Sequence, residues 1–106
     1  MDIGASFSYH LLSTRIYLPM RIIAVIPAYN EESRIGAAVR DILGAVAQAV
    51  VVDDCSQDKT GAVAKEAGAI VLTHAVNRGQ GAALQTATDF ALDHLAADVI
   101  VHFDAD

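Results

Sequence analysis

A chain of 106 residues, 54% of them hydrophobic and with a mean hydropathy of +0.38, has room for one buried core. That excludes both a two-domain protein and a disordered polymer. With 7 Lys and Arg against 13 Asp and Glu, the net charge of −6 excludes the basic stripe that nucleic acid requires, so any bound polyanion needs local donors and a metal.

The first 19 residues lack a basic leader and a clean apolar core, because Asp2, His10 and Arg15 interrupt them. No stretch approaches the roughly 18–20 apolar residues of a membrane span. Residues 1–19 are therefore read as an upstream extension outside the fold, with a single domain over residues 20–106. Cys55, the single cysteine, cannot form an intrachain disulfide. A cytoplasmic location is expected.

Arg21 to Pro27 reads as a continuous apolar strand, buried on both faces, with Pro27 ending its hydrogen-bond ladder. Asn30 is placed to cap a helix running to about Val46, with Ile35, Val39, Ile42, Leu43 and Val46 facing the sheet. Ala49 to Val52 forms a second strand that ends in Asp53 and Asp54. A polar turn then leads into a helix through Ala67, closed by Gly68. Ala69 to Leu72 forms a third strand. The turn Asn77–Gly81 opens a helix from about Gln80 to Leu95, with Leu84, Ala87, Ala91 and Leu95 inward. Asp98 to Phe103 is the last strand, followed by Asp104-Ala105-Asp106. Strands separated by helices of this length predict an α/β fold: a parallel sheet with helices on both faces, built from right-handed βαβ units.

In such a sheet the strand ends share one rim, and ligands bind there. Pro27 to Glu32, Asp53-Asp54 and Asp104-Asp106 all fall on it. Two carboxylates one residue apart suit a hard divalent cation, which is itself a natural partner of a diphosphate. Strand-end Asp residues also serve as turn and helix caps, so Asp53 has a structural alternative. The glycines and Arg78 of the Asn77–Gly81 turn either approach a phosphate or simply permit a tight turn. His10, His74, His94 and His102 lack metal-ligand spacing, and Cys55 reads as a turn filler.

Four ordered motifs, Ile26-Pro27-Ala28-Tyr29-Asn30-Glu31-Glu32, Val52-Asp53-Asp54-Cys55-Ser56 with Asp58-Lys59-Thr60, Asn77-Arg78-Gly79-Gln80-Gly81-Ala82-Ala83, and Phe103-Asp104-Ala105-Asp106, resemble the N-terminal half of a family 2 glycosyltransferase. Within that family the chain is most similar to the dolichyl-phosphate mannose synthase-like branch. The resemblance covers residues 20–106. It implies the Rossmann-like half of a GT-A fold that binds a UDP- or GDP-sugar with Mg2+ or Mn2+. By the same resemblance Pro27, Ala28, Tyr29 and Glu31 line the nucleotide pocket, with Tyr29 against the base. Asp54 accepts a base N–H, and a carboxylate suits uracil and guanine alike. Asp53 contacts the ribose or holds the turn, and Arg78 is a candidate phosphate donor. Asp104 sits near ribose and metal, and Asp106 coordinates the cation.

The resemblance further implies sugar transfer to an acceptor, a polyprenyl or dolichyl phosphate, by the whole protein, peripheral to the cytoplasmic face of a membrane. Family members carry the acceptor-binding part after the D-x-D motif. The competing expectation is a truncated, non-catalytic chain with at most weak nucleotide binding. An exposed edge on the last strand offers a surface for a homo-oligomer. A dinucleotide-binding domain would need G-x-G-x-x-G after the first strand, where Pro27 to Glu32 contains no glycine. A sugar nucleotidyltransferase would need a glycine-rich basic loop at the same place.

Overall fold

The computed structural model describes residues 10–11, 14–15 and 20–105. Two two-residue strands, β1 (His10–Leu11) and β2 (Thr14–Arg15), pair antiparallel. The rest of residues 1–19, expected to be an extension, lies outside the described residues. From there the order is β3 (Ile22–Ala28), α1 (Ile35–Leu43), β4 (Gln48–Asp53), α2 (Thr60–Glu66), β5 (Ile70–Thr73), α3 (Gln80–His94) and β6 (Val99–His102). The four long strands form one parallel sheet in the order β5-β4-β3-β6. The chain leaves β3 towards β4 and β5, then crosses back to place β6 on its other side. The strand order therefore reverses between β3 and β6.

Period-two alternation divides the strands between two cores. Ala24, Ile26 and Ala28 of β3 join Ala49 and Val51 of β4 beneath Ile35, Val39 and Ala64 of α1 and α2. Ile23 and Val25 join Val50 and Val52 on the opposite face, beneath Ala83, Ala87 and Ala91 of α3. This is why β3 and β4 read as unbroken apolar runs: both faces are covered. Small residues at four-residue spacing form the buried stripe of α3, with Leu84 and Leu95 only partly buried beside it. Arg21 fastens the amino edge, donating from Nε to the Leu95 carbonyl (2.8 Å) and from a terminal nitrogen to Gln48 Oε1 (2.7 Å).

Three local expectations are corrected. Pro27 lies inside β3, opposite Val52, and does not end the strand. Val25 O accepts from Phe103 N, so Val25 faces β6, and Pro27, two residues on, faces the same way beyond the last β3–β6 pair. The missing N–H therefore breaks no bond. Asn30 does not cap α1, which begins only at Ile35 without a side-chain cap. Its φ of 52° makes it part of a loop. At the other end α1 stops at Leu43, so Val46 packs from the following turn. Helix α2 closes as a Schellman motif, as its glycine suggested: Gly68 (φ 113°) donates to Lys65 O and Ala69 donates to Ala64 O.

Candidate functional site

A cleft of about 210 Å3 opens at the carboxyl edge of the sheet, where the strand order reverses. Its walls come from separate stretches: Pro27, Ala28, Tyr29 and Glu31 after β3, Asp54 after β4, Gln80 and Ala83 at the start of α3, and Asp104 and Ala105 after β6. Six of the residues singled out in the sequence thus meet in one place. Two others do not. Asp53 is buried but turned away, with Oδ1 accepting the Ser56 N–H (3.0 Å) and Oδ2 packed where a Cβ on Gly61 would lie 2.9 Å away. It holds the turn into α2. Arg78 contributes its backbone and not its guanidinium: its N–H donates to Asp54, and its side chain is not part of the cleft wall. Asp106 lies outside the described residues.

The loop carrying Tyr29 and Glu31 is stitched to the loop before α2 by hydrogen bonds in both directions. Asn30 N–H donates to Ser56 Oγ (2.8 Å), and Gln57 N–H donates back to Asn30 Oδ1 (2.9 Å). Glu31 N–H donates to Thr60 Oγ1 (2.8 Å), and Glu32 N–H to Asp58 Oδ2 (3.2 Å). Lys59 N–H donates to Glu32 Oε1 (3.1 Å). The Thr60 hydroxyl, fully buried, also donates to Asp58 Oδ1. That bond, the desolvation it works against, and N–H donors from Thr60 and Glu32 leave the Asp58 carboxyl below the usual carboxylate range. The Ser56, Asp58 and Thr60 positions of the second motif therefore fix the cleft wall and do not line it.

Asp54 is the most constrained acid of the rim, with 3% of its surface exposed. Its Oδ1 accepts the Arg78 N–H (2.9 Å) and lies 2.8 Å from His74 Nδ1. Its Oδ2 accepts the Gly79 N–H (2.7 Å). Burial pushes its carboxyl up, but the Arg78 N–H, the His74 ring and the Gly79 N–H together outweigh burial and hold it below the usual range. Gly79 adopts φ 97°, ψ 162° to deliver this N–H, a conformation essentially reserved for glycine. In the sequence His74 has no metal-ligand spacing to mark it. The signal that finds it is strand register: Asp53 pairs with Thr73, so the next residues, Asp54 and His74, face each other. Gln80 and Ala83 were also missed as cleft residues. They line it because α3 points its N-terminus at the rim, bringing its unpaired N–H groups and positive dipole end there.

Asp104 ends the row with an exposed carboxylate, 3.4 Å from His102 Nε2. Among the described residues, no three His, Cys, Asp or Glu side chains cluster closely enough to enclose a metal. The donor chemistry still fits Mg2+ or Mn2+, which are commonly held by one or two carboxylates together with substrate phosphates and water. No described helix is long and apolar enough to cross a membrane.

Comparison with known proteins agrees with this geometry. Residues 23–106 match the model of Glycosyl transferase family 2. Two uncharacterized proteins of Methanocaldococcus jannaschii, MJ1222 and MJ0544, are 44% and 33% identical to this chain, over 80% of it in each case and over 35% and 40% of their own lengths. Among solved structures, glucosyl-3-phosphoglycerate synthase from Mycobacterium tuberculosis, in complex with Mn2+, UDP and glucosyl-3-phosphoglycerate, superposes with a TM-score of 0.67 at 30% identity. That match covers 82% of this chain and 34% of the synthase. The same enzyme has also been crystallised with Mg2+ and UDP. Mannosyl-3-phosphoglycerate synthase from Rubrobacter xylanophilus gives a TM-score of 0.69 at 26% identity, over 82% and 31% of the two chains. The chain thus spans well under half the length of these relatives, and its four-stranded parallel sheet is the Rossmann-like part of a GT-A glycosyltransferase fold. It belongs to glycosyl transferase family 2.

Proposed function

We propose that the carboxyl-edge cleft binds the nucleoside diphosphate part of a UDP- or GDP-sugar together with Mg2+ or Mn2+. What supports this reading is one observation: Tyr29, Asp54 and Asp104, from three distant stretches of sequence, line a single cleft at the point of strand reversal. In it, Tyr29 lies against the base and Asp54 accepts a base N–H, while Pro27, Ala28 and Glu31 form the surrounding wall. The start of α3 turns its N–H groups towards the phosphates. Asp104, with Asp106 of the same tripeptide, holds the divalent cation. When bound, that cation offsets charge on the departing nucleoside diphosphate. At about 210 Å3 the cleft is smaller than the roughly 300–1,000 Å3 of a complete small-molecule site, so it encloses only part of the donor.

For the whole protein we propose sugar transfer to a polyprenyl or dolichyl phosphate, as in the dolichyl-phosphate mannose synthase-like branch. A lipid phosphate is already an anionic nucleophile, so no side chain on this rim has to remove a proton from it. That acceptor would set the reaction at a membrane surface. Strand β6 is an edge of the described sheet, and a second copy pairing there is part of the same proposal. Calorimetric titration of the chain with UDP and with GDP, with and without Mn2+, tests the donor site. Metal-dependent binding of at least one is expected, and its loss in Asp54→Ala. Binding of neither nucleotide with Mn2+ present would refute it.

A further inference from the structure

The donors around Asp54 carry a consequence for which base the cleft accepts. An ionised carboxylate has about four acceptor sites, two on each oxygen. Oδ1 already has two partners, the His74 ring and the Arg78 N–H, and Oδ2 has one, the Gly79 N–H. One site remains, and it belongs to Oδ2. We propose that His74 is a specificity-determining positioning residue: with the two backbone N–H groups it fills all but one of the acceptor sites of Asp54, so that the cleft selects a base with a single ring N–H, uracil, over guanine. This rests on the donor-site reading above and narrows it.

Guanine presents two adjacent donors, N1–H and an N2 hydrogen, and pairs with a carboxylate by using one site on each oxygen. Here Oδ1 has none to give. One guanine donor would then stay unpaired beside an acid that is almost fully buried. Uracil presents one imide N–H and needs one acceptor. His74 cannot easily swing aside, because it is 8% exposed and its Nε2 lies 2.9 Å from Thr86 Oγ1 on α3. With Nδ1 carrying the proton towards Asp54, Nε2 accepts from the Thr86 hydroxyl, and both ring nitrogens are satisfied. Thr86 therefore acts through His74, and His74 acts through Asp54. None of these contacts requires the ring to touch the ligand.

Calorimetry on the full 106-residue chain with Mn2+ tests this, using UDP, its N3-methyl analogue and GDP. UDP is expected to bind at least about tenfold more tightly than GDP, and N3-methylation to cost a similar factor. His74→Phe removes the ring donor, and His74→Gln carries its amide to the Nε2 position, away from Asp54. Each is expected to shrink the UDP/GDP ratio several-fold. His74→Asn, whose amide nitrogen sits near the Nδ1 position, should preserve the ratio, a rescue that a purely structural role would not produce. Equal binding of UDP and GDP by the parent, indifference to N3-methylation, or a parallel loss of both nucleotides in His74→Phe and His74→Gln overturns the proposal while leaving the donor site standing. If neither nucleotide binds, both readings fall together.

Discussion

The stitch through Thr60 makes a quantitative prediction. Thr60 is fully buried, and its Oγ1 is the acceptor for the Glu31 N–H at 2.8 Å. Thr60→Val keeps the shape and removes the acceptor, leaving that N–H without a partner behind the cleft wall. A donor orphaned in this way costs about 1–3 kcal/mol. The lost bond to Asp58 adds little, because that carboxylate is exposed and water replaces the hydroxyl. Thr60→Ser is the control: it keeps the hydroxyl and loses one buried methyl, at about 1 kcal/mol. For a chain of this size, with a urea slope of about 1 kcal/mol/M, Thr60→Val should lower the unfolding midpoint by roughly 1–3 M. At zero denaturant, where both variants remain folded, UDP affinity should fall in Thr60→Val and hold in Thr60→Ser, because only the first releases the loop carrying Tyr29 and Glu31. A Thr60→Val protein as stable as the parent, or one whose UDP affinity matches that of Thr60→Ser, would refute the assignment of the second motif to the cleft wall.

Further outcomes follow from the same geometry. Gly79→Ala places a Cβ in open space, with no atom within 4 Å, so its cost is backbone strain alone, about 1–3 kcal/mol by thermal or urea unfolding. It should also weaken nucleotide binding, because the Gly79 N–H is displaced from Asp54. Asp54 is held below its ordinary pKa of 3.8 by its donors against the opposing effect of burial, so its stabilising contribution is fully present above pH 3.8 and is lost as pH falls through the lower folded-state value. Unfolding midpoints measured from pH 5 down to 2 should therefore fall more steeply for the parent than for Asp54→Asn, which is expected to be the less stable protein at pH 7. Asp104→Ala and Asp106→Ala should each lose the enhancement of UDP binding by Mn2+ while retaining metal-independent binding, read by titration with and without EDTA.

The topology was legible because its causes are local and repetitive. Val50 and Val52 serve one core and Val51 the other, so a two-faced parallel strand announces itself as an unbroken apolar run. The rim was legible for the same reason, since strand ends in a parallel sheet share an edge. What escaped were partnerships between residues far apart in sequence. Nothing local to Asn30 says that its side chain will accept from Gln57 and not cap the following helix. Asp53 and Asp54 were only half separable: the resemblance gives Asp54 to the base and leaves Asp53 between ribose and turn, and pleating turns Asp53 to the α2 turn while Asp54 lines the cleft. His74 became visible only once β5 was set in register against β4.

The same partnerships reconcile so acidic a rim with the anionic ligand proposed for it. A chain of net charge −6 that gathers Asp53, Asp54, Asp58 and Glu32 near one edge would repel a diphosphate if those charges were free. Each instead accepts backbone N–H groups: Asp53 from Ser56, Asp54 from Arg78 and Gly79, Asp58 from Glu32 and Thr60, and Glu32 from Lys59. Those carboxylates act as internal staples that shape the cleft. Asp104 differs, with more than half of its side chain exposed and His102 Nε2 3.4 Å from its carboxylate. It can turn towards a cation without breaking the wall, whereas withdrawing Asp54 would strand three donors. Glu32, Asp53, Asp54 and Asp58 therefore build the wall, whereas Asp104 after β6 keeps the exposed carboxylate that the proposed metal role requires.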